Sequence, residues 1–255
     1  MTTFHTDRRR FLARAAAGSA ALLAGCDRLS GGDWLPPILE RAEHLSRAAQ
    51  KLVSPRGSMA QEFRETDLSP SFRSNGTSDP ADARYQALAA GGFSGYRLLV
   101  SGLVERPAGF TLAQLHDLPS RTQITRHDCV EGWSAIGKWK GARLAALLDR
   151  VRPRAQARYV VFYCADPMDE QGTRYYESID MDDAYHAQTI LAYELNDKAL
   201  PIANGAPLRL RVERQLGYKM AKYVMAIALV DSFAHIGAGK GGYWEDLGYE
   251  WYAGI

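Results

Sequence analysis

Cys129 is the residue in this chain whose type and position could carry chemistry. It stands in the run RHDCVEGWS, residues 126–134, directly after a segment in which apolar and polar residues alternate. This pattern predicts a strand whose end delivers the thiol into a loop. There a cysteine can act as a nucleophile, bind a metal, form half of a disulfide, or pack as an inert thiol. The remaining residues have to decide among these four chemistries.

Two of the four chemistries can be compared with the surrounding sequence. A cysteine hydrolase would pair Cys129 with His127, His186 or His235, but no hydrolase pattern places this cysteine at a helix N-terminus. A zinc site needs three or four clustered ligands, which Cys129, Cys164 and scattered histidines do not supply. The chain also has no Gly-x-Gly-x-x-Gly or Walker loop for a nucleotide and no Cys-x-x-Cys-His for covalent haem. A cysteine hydrolase therefore stays an alternative, and a zinc site finds no support.

The N-terminal residues resemble an export signal. Residues 8–12, RRRFL, match the Arg-Arg-x-Phe-Leu pattern of a twin-arginine signal. A weakly apolar run of about a dozen residues follows, shorter than the roughly 20 residues of a membrane span. LAGC at residues 23–26 resembles a lipobox, in which Cys26 carries lipid. We therefore expect export to the periplasm and a lipid anchor at Cys26; the alternative is a chance cysteine in an amphipathic leader.

Composition and cysteine count set broader bounds. The 255 residues carry a net charge of +2, with 46% hydrophobic and 24% charged residues. This is a globular composition, and it gives no support to a nucleic-acid partner. If Cys26 carries lipid, Cys129 and Cys164 remain, and in an oxidising compartment they could form a disulfide. Counting cysteines leaves that question open.

The elements that must position Cys129 follow from periodicity. Alternating or buried apolar runs predict strands at residues 96–104, 121–129, 158–164, 189–195, 207–212 and 223–230. Helical spacing and capping residues predict helices at residues 38–53, 111–115, 141–151 and 178–187. Residues 213–222 are predicted to be too polar for the core. Strands and helices that mix without regular β-α-β alternation predict an α+β fold.

The chain is predicted to contain one folded domain behind an N-terminal extension. Residues 1–25 form the signal, and residues 26–55 form a tether and the N-terminal helix. Residues 56–95, rich in Ser, Pro, Gly, Asp and Asn, predict an extended loop that either has a function or is disordered. Residues 96–255 are predicted to form the main folded domain. Its aromatic tail, residues 241–252, either walls a substrate funnel or packs as a C-terminal strap.

Two ordered motifs resemble those of a known family. The cysteine run, with WKG at residues 139–141, resembles the cysteine motif of the sulfite-oxidase-type molybdopterin-binding domain. KALP at residues 198–201, NGAPLRL at 204–210 and LGYKMAK at 216–222 are similar to its pterin-phosphate motif. Within the family, the chain is most similar to bacterial periplasmic members such as the methionine-sulfoxide reductase catalytic subunit. The resemblance implies a single sulfite-oxidase-like domain that binds a molybdenum–molybdopterin cofactor.

The resemblance also implies roles for individual residues. Cys129 matches the thiolate that binds molybdenum, and a thiolate is a soft donor suited to a redox metal. Cys164 matches a position that lines the cofactor site, although a plain buried thiol explains it equally well. A Cys129 bound to metal could not also form a disulfide. The other positions that match cofactor-binding residues are Asn75, Asn204, Arg209, Met220, Ala221 and Lys222, and His186 matches a family histidine.

The activity that the resemblance implies is oxygen-atom transfer on a sulfur-type substrate such as sulfite or a sulfoxide. Electrons would be exchanged with an external carrier, a membrane cytochrome b or a c-type cytochrome. Arg126 and Lys138 are candidates for steering an anionic or polar substrate, although solvated surface charge explains Lys138 better. Tryptophan and serine at residues 133–134 replace the arginine pair of sulfite oxidases, which weakens the sulfite assignment. The alternative is a non-catalytic exported binding module of the same fold with a Cys129–Cys164 disulfide.

Overall fold

The computed structural model describes Leu45, Ala49, Gln50 and residues 57–255. The chain divides into two units, Met1–Val53 and Ser54–Ile255. The predicted export signal and the lipid site lie outside the described residues. The helix predicted at residues 38–53 is described only at Leu45, Ala49 and Gln50, which are helical. Across the part of the chain that is described, no helix combines the length and the apolar character that a membrane span requires.

Strands dominate the described part of the second unit. They are β1 (Arg97–Gly102), β2 (Ala108–Thr111), β3 (Ser120–Cys129), β4 (Trp133–Arg143), β5 (Tyr159–Pro167), β6 (Arg174–Asp180), β7 (Ile190–Leu195), β8 (Lys198–Ala199), β9 (Arg209–Arg211) and β10 (Val224–Val230). The helices are α1 (Ala83–Ala90), α2 (Leu112–His116), α3 (Leu144–Val151), α4 (Met181–Ala184) and α5 (Tyr243–Asp246). Single 3-10 turns lie at Glu65–Asp67, Ile202–Asn204 and Gly217–Lys219.

The strands form two sheets. The first has the order β2-β1-β10-β5-β6, in which β1 and β10 are parallel and the other pairs are antiparallel. The second has the order β3-β4-β7-β8, all antiparallel, and β9 also pairs with β7. Mixed sheets with a few short helices make an α+β fold, which confirms the predicted class.

Both sheets contribute to one main hydrophobic core. Leu98 and Phe162 of the first sheet and Leu191 and Leu210 of the second are fully buried in the same cluster. Leu147 of α3 joins them, because α3 carries apolar residues at the spacing of one helical face and buries that face. The end of β3 that carries Cys129 is held by its pairing with β4, where Cys129 lies opposite Trp133.

Helix α2 is the element whose boundary follows most directly from sequence. Thr111 is its N-cap: the Thr111 hydroxyl accepts a hydrogen bond from the backbone N–H of Gln114 at 3.2 Å. The Gln114 side chain in turn accepts from the backbone N–H of Thr111 at 2.9 Å. This reciprocal pair is a capping box, and it confirms the predicted short helix.

The helix predicted at residues 141–151 begins later than expected. Residues 141–143 belong to β4, where the backbone passes close to β7. A Cβ atom on Gly141 would lie 2.2 Å from the carbonyl oxygen of Leu191. Only glycine allows this approach, so the chain stays in the sheet until Leu144 starts α3.

Two further elements differ from prediction. The helix predicted at residues 178–187 shrinks to α4, because β6 continues to Asp180. Asp180 still acts as the N-cap, since its carboxylate accepts from the backbone N–H of Asp183 at 2.9 Å. Within the predicted loop at residues 56–95, α1 forms after Asp82, whose side chain caps it by accepting from Tyr85 N–H at 2.8 Å. Loop residues 57–82 contain one 3-10 turn and a single antiparallel β-bridge from Glu62 to Thr125 of β3, and are otherwise irregular.

The prediction that residues 213–222 are too polar for the core is wrong. Glu213, Lys219 and Lys222 are all at most 6% exposed. Each meets a partner from elsewhere in the chain; the Glu213 carboxylate accepts from Arg211 Nη2 at 2.6 Å and from Gln123 Nε2 at 2.9 Å. Buried charges are tolerated when they are paired and hydrogen-bonded. The segment is therefore interior, and one end of it reaches the cavity that contains Cys129.

Candidate active site

One cavity brings Cys129 together with parts of the chain that are distant in sequence. Of the predicted site residues, Asn75, Cys129, Met220 and Lys222 line its wall. They come from the upstream loop, the β3–β4 turn and the segment after β9. The cavity therefore joins the cysteine motif to the second motif, about 75 residues apart in sequence.

A tight hairpin presents Cys129 to this cavity. Cys129 is the last residue of β3 and pairs with Trp133, the first residue of β4. The Gly132 N–H donates to the Cys129 carbonyl at 3.0 Å, and Gly132 has a φ of 82°. A three-residue hairpin loop needs a left-handed residue at this position, and glycine adopts that conformation without strain. The geometry of this turn therefore explains why the cysteine motif has a glycine at residue 132.

The Cys129 thiol is partly buried and is not an activated nucleophile. Burial raises its pKa above the ordinary value, and the Glu131 carboxylate adds to that rise. The backbone N–H of Glu131 and the positive charges of Arg73 and Arg209 oppose the rise without cancelling it. Nucleophilic cysteines are usually held as thiolates by a lowered pKa, so the environment disfavours a cysteine hydrolase. A metal can still displace the proton and bind the thiolate.

Of the three histidines considered for a hydrolase, His127 and His186 have partners away from Cys129, and none of the three lines the cavity. His127 is completely buried, and its Nδ1 lies 3.0 Å from Arg211 Nη1 and 3.3 Å from Met220 Sδ. Arg211 can only donate, so His127 Nδ1 accepts and the imidazole is neutral; burial, followed by Arg211, lowers its pKa well below the ordinary value. His186 contacts the carbonyl of Ser58 at 3.0 Å, and His235 is exposed.

Cys164 and Cys129 are both free thiols. Cys164 is 2% exposed and packs in the main core, where it pairs with Val224 across β5 and β10. It does not line the cavity wall, so the structure places it behind the site. The binding-module alternative rests on a Cys129–Cys164 disulfide, and the structure contains no such bridge.

Lys222 is a buried cation that joins three segments at the cavity. Its ammonium donates to the carbonyls of Asn75 at 2.6 Å and Ala203 at 3.1 Å, and also to the carbonyl of Thr77. Burial, assisted by Arg209, lowers the pKa of Lys222 to about 7. The three carbonyls occupy its three donors, so Lys222 anchors the upstream loop against the turn at Ile202–Asn204. Any phosphate that it contacts would have to replace one of these carbonyls.

Arg209 and Asn204 lie behind Lys222 with donors that are not satisfied. Arg209 is fully buried; its guanidinium donates to the carbonyls of Asn204 at 3.1 Å and Met220 at 3.2 Å. Burial and the neighbouring Arg211 lower the pKa of Arg209 to about 9. Ala221 is buried beside them and accepts from the Leu210 N–H at 2.8 Å.

Three buried polar atoms in this region have no hydrogen-bond partner among the described residues. They are Asn75 Oδ1, Asn204 Nδ2 and Arg209 Nε. A buried polar atom without a partner costs roughly 1–3 kcal/mol, which a bound ligand can recover. Arg209 and Lys222 add positive charge beside them. These features fit a ligand that is anionic and carries several hydrogen-bonding groups, such as a pterin with a phosphate.

The structure does not bring Arg126 or Lys138 into this cavity. Side chains alternate along β3, so Arg126 points to the opposite face from His127 and Cys129. Arg126 is half exposed and forms an ion pair with Asp128 at 2.9 Å. Lys138 pairs with Glu65 at 2.6 Å and Asp197 at 3.0 Å on the surface. Neither residue lines the cavity that contains Cys129, and a role in steering the substrate stays a prediction.

Several lining residues had no individual role in the sequence analysis, among them Asp166, Tyr175, Trp244 and Tyr249. Asp166 lies near the end of the apolar strand β5. Aspartate is rarely buried unless it has a partner, so its presence in an apolar run could have indicated a functional residue. Trp244 and Tyr249 lie in the aromatic tail, and their rings stack with centroids 5.4 Å apart. The tail thus does both things expected of it, since it packs on the domain and walls the cavity.

A buried ion cluster fixes the tail beside the cavity. Lys219 Nζ lies 2.5 Å from Glu177 Oε1 and 2.5 Å from Glu245 Oε1, and none of the three side chains is exposed. Burial and then Glu245 raise the pKa of Glu177 well above its ordinary value, against the effect of Lys219. Lys219 comes from the second motif and Glu245 from α5. The cluster therefore ties the tail to the segment that carries Lys222.

Comparisons with known proteins agree with this site. Residues 88–235 match the model of the oxidoreductase molybdopterin binding domain. The chain is 37% identical over 97% of its length to the putative protein-methionine-sulfoxide reductase subunit YedZ1 of Azospira oryzae, covering 87% of that protein. It is 32% identical over 95% of its length to the protein-methionine-sulfoxide reductase catalytic subunit MsrP of Xanthomonas campestris, covering 74% of it.

Among solved structures, the sulfane dehydrogenase SoxCD of Paracoccus pantotrophus matches 55% of this chain and 39% of its own, with a TM-score of 0.49 and 23% identity. The family match covers more than half of the chain, and relatives above 30% identity align over nearly all of it. The chain therefore belongs to the oxidoreductase molybdopterin-binding family, and it is a molybdopterin-dependent oxidoreductase.

Proposed function

We propose that this protein uses a molybdenum–molybdopterin cofactor to transfer an oxygen atom from a sulfoxide-type substrate. The observation that carries the proposal is the free Cys129 thiol on a cavity shared with a cationic, incompletely hydrogen-bonded region. One thiolate from the protein suits a metal that receives its other ligands from a cofactor. The names of the relatives, which include methionine-sulfoxide reductase, support a sulfoxide as the substrate.

The chain's own residues would bind the cofactor in distinct ways. Cys129 would lose its proton and hold the metal. Arg209 Nε and Asn204 Nδ2 would donate to the pterin and its phosphate, while Asn75 Oδ1 would accept. Lys222 would hold the upstream loop closed and add positive charge. When bound, the molybdenum–molybdopterin cofactor supplies two-electron redox chemistry and oxygen-atom exchange.

The cavity wall favours a neutral substrate over an anion. Met168, Trp244 and Tyr249 provide apolar and aromatic surface, and the carboxyl groups of Glu131 and Asp166 face the same space. The Glu131 carboxylate repels sulfite, whereas a sulfoxide has no net charge and can place its carbon substituents on the aromatic wall. This balance supports sulfoxide reduction as the preferred reaction.

Electron exchange and location belong to the same proposal. We infer that a membrane cytochrome b or a c-type cytochrome supplies electrons one at a time. The twin-arginine pattern and the lipobox at Cys26 support a periplasmic, lipid-anchored protein. Export by this route suits a protein that folds around its cofactor before it crosses the membrane.

Metal analysis and a substrate screen test the proposal. Protein from a host that makes molybdopterin should contain about one molybdenum and one pterin per chain. With dye electron donors it should reduce methionine sulfoxide and dimethyl sulfoxide faster than it oxidises sulfite. Cys129→Ser should lose activity and keep the pterin, whereas the matched variant Cys164→Ala should keep both. Full activity in Cys129→Ser, or a faster reaction with sulfite, would contradict the proposal.

A further inference from the structure

Asp166 is a buried acid on the cavity wall to which no role has yet been assigned. It is 5% exposed, and it lines the same cavity as Cys129. Its Oδ1 atom is buried and has no hydrogen-bond partner within the described part of the chain. A buried carboxylate with an unsatisfied oxygen is unfavourable, whereas the protonated acid carries an O–H that a ligand can accept. Protonated Asp166 is therefore a hydrogen-bond donor for which the described part of the chain provides no acceptor.

The buried donors Tyr175, Tyr218 and Lys222 on the cavity wall already have acceptors for their protons. The Tyr175 hydroxyl donates to the carbonyl of Tyr218, and the Tyr218 hydroxyl donates to the carbonyl of Glu250 at 2.6 Å. The ammonium of Lys222 is held by three carbonyls. Glu131 is exposed at the rim and accepts from Trp133 Nε1 at 2.9 Å. Asp166 is thus the buried carboxyl whose proton is available to a bound molecule.

We propose that Asp166 gives a proton to the substrate oxygen as the sulfur–oxygen bond breaks. This inference rests on the proposed function. Reduction of a sulfoxide consumes two electrons and two protons: the sulfur keeps a lone pair as the sulfide, and the oxygen leaves as water. The bound cofactor would supply the two electrons, and the external carrier would replace them one at a time. Asp166 supplies one proton and water in the cavity the other, and solvent then reprotonates Asp166.

The environment of Asp166 suits this role at ordinary pH. Burial raises the pKa of Asp166 to about 6, while hydrogen bonding to its own backbone N–H and the positive charge of Lys222 oppose the rise. A general acid works best when its pKa lies near the operating pH. As the pH rises through this value the proton is lost, so turnover should fall on the alkaline side. The other titratable groups that interact with Asp166 are Tyr85, Cys164, Tyr175 and Tyr223.

The test compares Asp166→Asn with Asp166→Glu in the cofactor-loaded protein. Asparagine has the same shape and no acidic proton, so kcat should fall by roughly 100-fold or more with little change in KM. The fall in kcat at high pH should be absent from Asp166→Asn. Asp166→Glu, which keeps an acidic proton, should retain most of the wild-type rate. The matched control is Glu170→Gln, an exposed carboxyl near the same strand end, which should keep the wild-type pH profile.

Two measurements that do not depend on turnover accompany the kinetics. Molybdenum and pterin contents of Asp166→Asn should equal those of the wild type. Among the infrared bands of protonated carboxyls, one should titrate near pH 6 in the wild type and be missing from Asp166→Asn, whereas any band of Glu177 should be the same in both proteins. Loss of pterin in Asp166→Asn would make Asp166 a cofactor ligand and overturn the inference. Full turnover with an unchanged pH profile would overturn it as well, while the proposed function would stand. A wild-type protein that reduces no sulfoxide would refute the proposed function itself, and the inference with it.

Discussion

Replacement of Lys219 by methionine should destabilise the domain strongly. Lys219 is the single cation between two carboxylates, with Nζ 2.5 Å from both Glu177 Oε1 and Glu245 Oε1. All three side chains are excluded from solvent. Methionine keeps much of the volume of lysine, so the main effect is the loss of charge. The two carboxyl groups would then face each other in a medium of low polarity.

The expected loss is about 3–5 kcal/mol, which is typical when one partner of a buried ion pair is removed. A domain of this size loses about 2–4 °C in Tm per kcal/mol, so the Tm should fall by roughly 10 °C. The loss should depend on pH. In Lys219→Met, the positive charge that lowers the pKa of Glu177 is absent. Burial then holds this pKa above its value in the unfolded chain. The free energy of unfolding should therefore fall further as the pH rises through this raised pKa.

Urea unfolding, followed by tryptophan fluorescence at about pH 5 and about pH 8, measures both effects. Lys198→Met is the matched control: Lys198 is exposed, so its replacement should change the free energy of unfolding by less than about 0.5 kcal/mol. Adding Glu245→Gln to Lys219→Met should recover part of the loss, because it removes one of the opposed carboxyl groups. A loss below about 1 kcal/mol, or an equal loss at both pH values, would refute this account of the cluster.

Two further predictions concern the cavity wall. Gly217→Ala should lower the free energy of unfolding by roughly 1–3 kcal/mol, because the added Cβ would lie 2.4 Å from His127 Nε2. Urea unfolding measures this loss. The control Gly57→Ala should show no such effect, because a Cβ there meets nothing within 4 Å. In cofactor-free protein, alkylation of Cys129 by iodoacetamide should be slow at neutral pH and accelerate as the pH rises, since its pKa is raised. Mass spectrometry should find the buried Cys164 unmodified, and fast, pH-independent alkylation of Cys129 would contradict the thiol environment described above.

Local features of the sequence were sufficient for much of the fold. The alternation that ends at Cys129, the capping box at Thr111 and the apolar face of α3 each depend on neighbours within a few residues. The order of the two motifs was also sufficient to indicate the family, because a cofactor site places fixed residue types at fixed positions. The α+β class followed from the same local patterns.

The tertiary structure alone decided which polar residues are interior. Residues 213–222 look solvated by composition, yet Glu213 and Lys219 are buried because their partners arrive from other strands and from the tail. The same limit applies to Arg126 and Asp166. Both are charged residues on strands, but Arg126 faces solvent while Asp166 faces the cavity. Burial of a charge depends on contacts that are distant in sequence, so local sequence patterns cannot determine it.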